Sequence, residues 1–451
     1  MNTRLRLRGR LALVVCLAII TASLSVFAWS GVYRSLNSTA TVDFHVLYTA
    51  GQMWNKGLDP YDPHQFYPEL QQIAGGLAVR RAYGYYYPPQ ATVLFSALAR
   101  LPSHVAHAVV IGLNMAFVII SLAILGLILS RHNRLGMLDF ALLATFVSSG
   151  FGRMNVREGQ ISALICVLLW ATFVLQQRGR GVLAGLLLAG VTLKPTFLPL
   201  YLAFYLLRRA YVVVAVCVVA ALVLTALPMA LTGRSVPGTM TGWLDALRVQ
   251  SARGENIDDP SPDASYAVTM HHLAPLVYRI FAVRSPVTTA ISWLIVGALC
   301  VGGGLLVLRG GGRADGTIDL GLVSALSLVS VYHRAYDDFL LFPGILSLYL
   351  AALRTWRPWV RRVWMGVLGA VLLSINLPTD LSARLSTQVP ALNSSYVWRV
   401  VAPVATWGAL VVVGGVFWRK IEESRHIVEA EQIARLERPD YLTSLGDPHG
   451  T

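Results

Sequence analysis

Residues 35–89 join two apolar stretches and contain Asp43, a carboxylate that could act as a base. If residues 43–55 form a helix, the positions three, four and seven residues after Asp43 are all apolar. A carboxylate on such a face is partly removed from water, which raises its pKa and makes it a better general base. The alternative is that Asp43 caps the start of this helix, with Thr41 as a competing cap. Both interpretations stay open.

Tyrosines are concentrated at the end of the same stretch, directly before Pro88 and Pro89. Tyr85 and Tyr87 belong to this run, and tyrosines at a membrane boundary commonly form an interfacial belt. Rings that carry a hydroxyl also suit the apolar faces and polar edges of a sugar. The run therefore predicts either a belt or part of a sugar-binding surface.

Basic residues lie at the ends of several later apolar stretches, on the same predicted side of the membrane as Asp43. We expect an anion site at this boundary that is formed by Arg153, Arg157, Lys194, His333 and Arg334. Lys194 is surrounded by leucine, proline and phenylalanine, and an unpaired cation in such a setting is costly. The alternative is internal pairing, for example of Arg334 with Asp337 or of Arg157 with Glu158.

The elements that must position these residues are membrane helices. Hydrophobic residues make up 55% of the chain and charged residues 13%, whereas soluble domains carry about a quarter charged residues. Segments such as 104–130 and 287–308 exceed the roughly 20 apolar residues that cross a bilayer. The predicted fold class is an all-α polytopic membrane protein of about twelve transmembrane helices. We expect its first outer loop to be long and to carry juxtamembrane helices.

The net charge of +14 follows the predicted topology and does not indicate a nucleic-acid partner. Arginine clusters flank the apolar stretches, and placing all of them in the cytoplasm gives a consistent alternation under the positive-inside rule. Both termini are then predicted to be cytoplasmic, and residues 1–30 to be an uncleaved first span. The acidic segments 35–89 and 233–285 lie outside. We therefore expect a bacterial inner-membrane protein with a periplasmic working face.

These predictions divide the chain into a multi-span membrane domain, residues 1–418, and a cytoplasmic helix and tail, residues 419–451. Within the membrane domain, residues 31–89 form the first outer loop, which carries Asp43. Residues 233–285 form a second outer loop that closes over an acceptor.

No metal and no cofactor are predicted. The four cysteines lie inside apolar stretches and are typical of small buried hydrophobic residues. The chain contains no CxxC, HExxH or Walker pattern, so nothing indicates zinc or nucleotide chemistry. The acidic residues of the second outer loop are interpreted as solvated. His271 and His272 are not assigned as a metal pair.

A carboxylate, an aromatic rim and boundary cations on one side suit the transfer of a lipid-linked sugar. The cations would stabilise a phosphate leaving group as its charge grows, and the carboxylate would take the proton of an incoming hydroxyl. One alternative is a transporter or flippase of lipid-linked sugars, although transporters tend to show internal repeats and none stands out here. Another is a glycan polymerase or ligase that uses a lipid-diphosphate donor.

Several short motifs follow one another in a characteristic order. They are D-F-x-x-x-Y-x-A from Asp43, G-x-D-P-Y, Y-x-Y-P-P, E-G-Q, an A-G…L-K-P segment, and an H-R-x-Y-D loop at residues 333–337. This order resembles the polyprenol-phosphate-sugar-dependent glycosyltransferases of GT-C architecture, the group that includes the mycobacterial mannosyltransferase PimE and related arabinofuranosyltransferases. The similarity runs from about residue 43 to residue 343. Where the mycobacterial proteins have a W-x-H-type segment, this chain reads YHRAYDD.

The resemblance implies an inverting transfer of a sugar, mannose or arabinofuranose, from a polyprenyl-phosphate donor to a glycolipid or glycan acceptor. It implies that Asp43 is the general base and that His333 is a second active-site residue near the donor. Contacts to the donor phosphate and lipid are assigned by charge to Lys194, Arg334, Arg153 and Arg157. Contacts to the sugar or acceptor are assigned to Tyr48, Tyr85, Tyr87 and Gln160.

Overall fold

The structure is a computed structural model, and it describes residues 3–37, 42–81, 84–131, 135–252, 260–262, 270–310, 316–354, 357–376, 385, 388–389 and 401–436. Within these residues the secondary structure is helical, apart from an isolated β-bridge between Met270 and Arg334. Most of the predicted acidic positions of the second outer loop, at 255, 258, 259 and 263, lie outside the described residues, as do Thr41 and the tail beyond residue 436.

The main helices among the described residues of the first half of the chain are α1 Thr3–Val26, α2 Val42–Asn55, α3 Pro63–Arg81, α4 Pro89–Leu98, α5 Ser103–Ser130, α6 Met137–Ser148, α7 Gly150–Glu158, α8 Ser162–Gln177 and α9 Gly181–Ala189. The second half continues with α10 Leu198–Leu207, α11 Tyr211–Leu231, α12 Val236–Ala252, α13 Leu273–Phe281, α14 Pro286–Gly310, α15 Gly316–Ser330, α16 Leu341–Arg354, α17 Pro358–Asn376 and α18 Val404–Leu436. Helix α1 is extended by a π-helical turn, Phe27–Tyr33, and a short helix, Arg34–Asn37.

The prediction of an all-α polytopic membrane protein is confirmed. Seven helices in the described part of the chain are long and apolar enough to cross a membrane, and four further apolar helices are shorter. The shorter ones include α8 and α15, whose side chains are largely buried inside the bundle. A helix that is apolar on all sides and buried by its neighbours needs no contact with lipid to be stable.

Helices α2 and α3, in the predicted first outer loop, and α4, which follows it, surround a separate apolar cluster, here called the outer-loop core. Helices α2 and α4 pack closely, and Gly51 makes this approach possible because a Cβ atom there would lie 2.5 Å from the carbonyl oxygen of Phe95. Ile161 joins this cluster from the membrane domain. The outer-loop core and the larger membrane core therefore meet at the segment that follows α7.

The break between α9 and α10 follows directly from the sequence. Two short 3-10 turns, Gly190–Leu193 and Pro195–Phe197, flank Lys194, which has extended backbone angles. Proline removes a backbone donor and disfavours the helical conformation of the residue before it. The predicted interruption of this apolar pair at Lys194 is therefore confirmed.

At the end of the bundle that is predicted to be cytoplasmic, three helices are joined by charge. Asp319 in the first turn of α15 is fully buried and contacts both Arg208, at the end of α10, and Lys420 of α18. The Lys420 Nζ lies 2.6 Å from an Asp319 oxygen and 2.8 Å from Glu423. Removing one member of a buried ionic group leaves an uncompensated charge, so this cluster fixes how α10, α15 and α18 meet.

We expect Asp319→Asn to destabilise the protein by about 3 kcal/mol, because Lys420 and Arg208 lose the carboxylate between them. Thermal unfolding of the purified protein in detergent measures the change. The matched control is Glu422→Gln, since the Glu422 side chain is 42% exposed and its partner Arg419 is also partly exposed. That change should cost less than about 1 kcal/mol. Equal melting temperatures for the two variants would contradict the assigned role of Asp319.

Candidate active site

Asp43 lies in the first turn of α2 and is partly buried. Its carboxylate accepts a hydrogen bond of 2.5 Å from the side-chain amide of Gln160, a residue 117 positions later. The two residues meet where the outer-loop core contacts the membrane domain. The Asp43 carboxylate therefore points at the turn between α7 and α8, and the groups around it can alter its proton affinity.

Gly159 makes this meeting possible. It ends α7 in the left-handed conformation, with φ 67°, and its amide bonds to the carbonyl oxygen of Asn155. A Cβ atom at Gly159 would lie 2.8 Å from the Cβ of Phe44, the residue after Asp43. Both the backbone angle and the close approach require glycine. The E-G-Q motif thus ends a helix and turns Gln160 towards Asp43.

The Gln160 amide is held on its other side by Tyr87. Its nitrogen lies 3.0 Å from the Tyr87 hydroxyl, which can donate in turn to the Gln160 carbonyl oxygen at 3.3 Å. The backbone carbonyl of Tyr87 accepts a hydrogen bond from Tyr61. Tyr85 is buried beside Tyr87 and its hydroxyl is paired with Thr92 at 2.7 Å. These tyrosines are packed in the outer-loop core and support Gln160 from behind.

The surroundings of Asp43 shift its acidity. Burial raises the pKa of Asp43 to about 6, and the negative charge of Glu158 adds to the rise. The hydrogen bond from Gln160 and the positive charges of Arg334 and Lys194 act in the opposite direction. A carboxyl group with this pKa is ionised at neutral pH, and it binds a proton more tightly than an exposed aspartate.

Lys194 is paired inside the protein. Its Nζ lies 2.5 and 2.7 Å from the two carboxylate oxygens of Asp337 and 2.9 Å from the hydroxyl of Ser162. Ser162 donates in turn to Asp337 at 2.7 Å, and the ammonium group lies over the ring of Tyr336. Asp337, which was considered above as an alternative partner of Arg334, is therefore paired with Lys194.

Arg334 lies in the short segment between α15 and α16. Its Nε donates to the hydroxyl of Tyr332 at 2.7 Å, and its backbone forms the bridge with Met270. It is partly exposed, and its positive charge lowers the proton affinity of Asp43. Arg334 therefore brings a cation into the neighbourhood of the carboxylate.

His333 is buried and faces other histidines. Its ring makes an edge contact with His271 at 5.9 Å between centroids and lies 6.2 Å from His272. Burial lowers the pKa of His333 well below its ordinary value, and His271 adds to the effect. Burial likewise lowers the pKa of His272 to about 3. Both rings are therefore neutral at physiological pH.

Three other predicted residues, Arg153, Arg157 and Tyr48, have partners of their own. Arg153 donates to the backbone carbonyl of Ser148 at 2.6 Å, and Arg157 pairs with Glu158 at 2.8 Å, which is the internal pair anticipated above. Tyr48 is buried, and its hydroxyl donates to the carbonyl oxygen of Leu101 at 2.7 Å. The structure does not bring these three side chains into hydrogen-bond contact with Asp43 within the described residues.

Sequence reasoning missed Asn155, which ties α7 to the 335–340 segment. Its amide nitrogen donates to the carbonyl of Tyr336 at 2.8 Å, and its side-chain oxygen accepts from the backbone of Ala163 at 3.0 Å. The signal that could have indicated it is a polar residue among apolar ones in the F-G-R-M-N-V-R-E-G-Q segment. Asp337 and Ser162 were missed as partners of Lys194 because their contact joins distant parts of the chain.

The Lys194–Asp337 pair generates a prediction about stability. Lys194→Met leaves the fully buried Asp337 carboxylate without a cation and should cost about 3–5 kcal/mol. The double variant Lys194→Met/Asp337→Asn removes both charges and should recover most of this loss. Thermal unfolding of the single and double variants in detergent measures the coupling. Additive effects would show that the two residues do not interact as the geometry indicates.

Comparison with known proteins adds the family. The chain matches the family model of Glycosyltransferase family 87 over residues 85–332, which is more than half of its length. The matched range contains Tyr85, Gln160 and Lys194, whereas Asp43 precedes it and His333 follows it. No curated protein and no solved structure matches the chain.

Among the described residues, the matched range covers three of the seven membrane-length helices, the four shorter apolar helices, and the Gln160 and Lys194 segments of the site. A helical membrane protein with this match is a membrane-bound enzyme that acts on a donor and an acceptor substrate. The chain belongs to glycosyltransferase family 87, a family of GT-C type.

Proposed function

We propose that this glycosyltransferase moves a sugar from a polyprenyl-phosphate donor to a glycolipid or glycan acceptor at the outer face of the bacterial inner membrane. The observation that carries the proposal is the partly buried Asp43 carboxylate, held by Gln160 within electrostatic reach of Arg334 and Lys194. A base near cations at a membrane boundary suits a donor whose phosphate is anchored in lipid. The resemblance described above favours mannose or arabinofuranose as the sugar.

Asp43 acts as the general base in this proposal. An acceptor hydroxyl gives its proton to the Asp43 carboxylate, and the acceptor oxygen forms a bond to the anomeric carbon of the sugar. The bond from that carbon to the phosphate oxygen breaks on the opposite face, and its electron pair leaves with the phosphate. One displacement inverts the anomeric centre. The raised pKa of Asp43 brings its proton affinity closer to that needed at neutral pH.

Arg334 carries the charge that the leaving phosphate needs. Lys194 and Asp337 are in direct contact, so their opposite charges largely cancel at a distance, and all three ammonium hydrogens can be used by Asp337 and Ser162. We therefore assign Lys194 to holding the segment that follows Arg334. Arg153 adds positive charge at the same boundary, whereas the charge of Arg157 is largely cancelled by Glu158.

Gln160 is a positioning residue for the base. Its amide donates to Asp43 and is itself oriented by Tyr87. Tyr85 and Tyr48 support the two segments through their own hydrogen bonds to Thr92 and Leu101, on the side of the helices that faces the outer-loop core. In this proposal the neutral ring of His333 lies at the edge of the donor site, next to Arg334.

We expect Asp43→Asn to lower transfer by a factor of about 10²–10⁴, because the amide cannot accept the hydroxyl proton. Transfer of radiolabelled sugar from polyprenyl-phosphate mannose or arabinofuranose to membrane lipid extracts measures the effect. Asp245→Asn is the matched control, since Asp245 is an exposed acid of α12 paired with Arg248. Full activity of a folded Asp43→Asn variant would overturn the assignment of the base.

The raised pKa of Asp43 predicts the pH dependence of the reaction. The base must be ionised to accept a proton, so activity is lost as pH falls through about 6. We expect kcat/KM to level off above pH 7 and to fall about tenfold per pH unit well below 6. A profile measured between pH 4.5 and 8 tests this, with unfolding monitored at each pH. Constant kcat/KM down to pH 4.5 would contradict the raised pKa.

A further inference from the structure

A second polar cluster lies beside the site and shares His333 with the edge of the proposed donor site. It consists of His271, directly before α13, together with His333 and Asp338 from the segment between α15 and α16. All three side chains are buried, with exposed fractions of 1%, 1% and 0%. One nitrogen or oxygen atom from each lies within 4.8 Å of those of the other two.

The two histidines are held in a form suited to binding a cation. His333 Nδ1 lies 2.8 Å from the backbone carbonyl of Val331, and His271 Nδ1 lies 2.8 Å from a carboxylate oxygen of Asp338. His271 Nδ1 and this Asp338 oxygen face each other, so a cation could take the place of the hydrogen between them. The Val331 carbonyl can only accept, so His333 Nδ1 donates to it, and the Nε2 atom of the neutral His333 ring presents its lone pair. Metal-binding histidines are commonly oriented by such hydrogen bonds from their other nitrogen.

Two of the atoms that could bind a cation have no partner among the described residues. They are the Nε2 atom of His333 and the Oδ2 atom of Asp338, which are buried without a hydrogen bond. A buried polar atom left unpaired costs about 1–3 kcal/mol. A cation bound to both atoms and to His271 Nδ1 would remove this cost.

The kinds of atom in the cluster select the kind of ion. Two imidazole nitrogens and a carboxylate are typical ligands of Zn²⁺, which accepts nitrogen and oxygen in tetrahedral geometry. Calcium and magnesium prefer shells made of oxygen atoms. Tetrahedral zinc sets its ligand atoms about 3.3 Å apart, so a closure of about 1.5 Å or less brings the three side chains to binding distance.

We propose that His271, His333 and Asp338 form a site for a divalent zinc-like ion, with one coordination position open. The ion would join the residues before α13 to the segment that carries Arg334 and Asp337. That junction is already marked by the bridge between Met270 and Arg334 and by a backbone hydrogen bond from His271 to His333. The bound ion therefore fixes the backbone of Arg334, to which the proposed function assigns the donor phosphate.

The site is tested by metal binding without donor or acceptor, so the result does not depend on the proposed glycosyl transfer. Full-length protein is purified in detergent with an affinity tag that lacks histidine, stripped with chelator, incubated with Zn²⁺ and desalted. Mass spectrometry of the metal should find about one zinc per chain. Zinc should also raise the melting temperature of the stripped wild-type protein.

Variants locate the ion. His271→Ala and His333→Ala should each retain less than a tenth of the wild-type zinc, and Asp338→Asn, which keeps an acceptor for His271, should bind zinc about 10–100-fold more weakly. His64→Ala is the control, since His64 is an exposed histidine of α3, and it should retain stoichiometric zinc. The site is supported if the three site variants lose zinc and the His64→Ala control keeps it.

Two results would overturn the proposal. One is a folded wild-type protein that neither retains zinc nor gains thermal stability from it. The other is stoichiometric zinc in both histidine variants, which would mean that the ion binds elsewhere. If an alanine variant fails to fold, His333→Gln and the wild-type zinc titration still decide between these outcomes. Replacing zinc with Co²⁺ gives a second readout, because ligand-field absorption by bound cobalt should disappear in His333→Gln.

Discussion

The structure of the site depends on the buried carboxylate of Asp337, which must be paired by other parts of the chain. An ionised carboxylate with no exposed surface needs both a cation and hydrogen bonds, and Lys194 and Ser162 supply them from two other parts of the bundle. Because Lys194 and Ser162 both contact Asp337, the break between α9 and α10 packs against the start of α8. The same contacts also fix the 335–340 segment, whose first residues follow Arg334. The neighbouring acid, Asp338, has a carboxylate oxygen 2.8 Å from His271 Nδ1.

Polar contacts of this kind give the bundle its specificity. Its leucines, valines and alanines could pack in several registers with similar energy, since lipid and helix interior are both apolar. Buried charges accept few partners, and a wrong register would leave them unpaired. Asp319, with Arg208 and Lys420, has this role at one end of the bundle. Asp337 has it at the other, where α7 and the outer-loop core meet the membrane domain.

The sequence predicted the parts of this architecture that depend on neighbouring residues. Apolar length predicted the helical membrane fold, Pro195 predicted the break at Lys194, and adjacent charges predicted the pair of Arg157 with Glu158. Partners distant in sequence could not be predicted, because helical periodicity describes one helix at a time. Lys194 and Asp337 are 143 residues apart and His271 and Asp338 are 67 apart. Their pairing depends on how the helices pack, and this packing cannot be read from local patterns in a single sequence.

The contact between Asp43 and Gln160 has a consequence for the assembly of the enzyme. The two residues are 117 positions apart, and α3, α4 and α5 lie between them in the chain. The altered acidity of Asp43 exists only after the first outer loop has docked on the end of α7. Before that, during synthesis or after local opening, residue 43 is an ordinary solvated aspartate. In the proposed mechanism the base therefore gains its raised proton affinity only in the docked state, so transfer requires residues 42–98 to be packed on the end of α7.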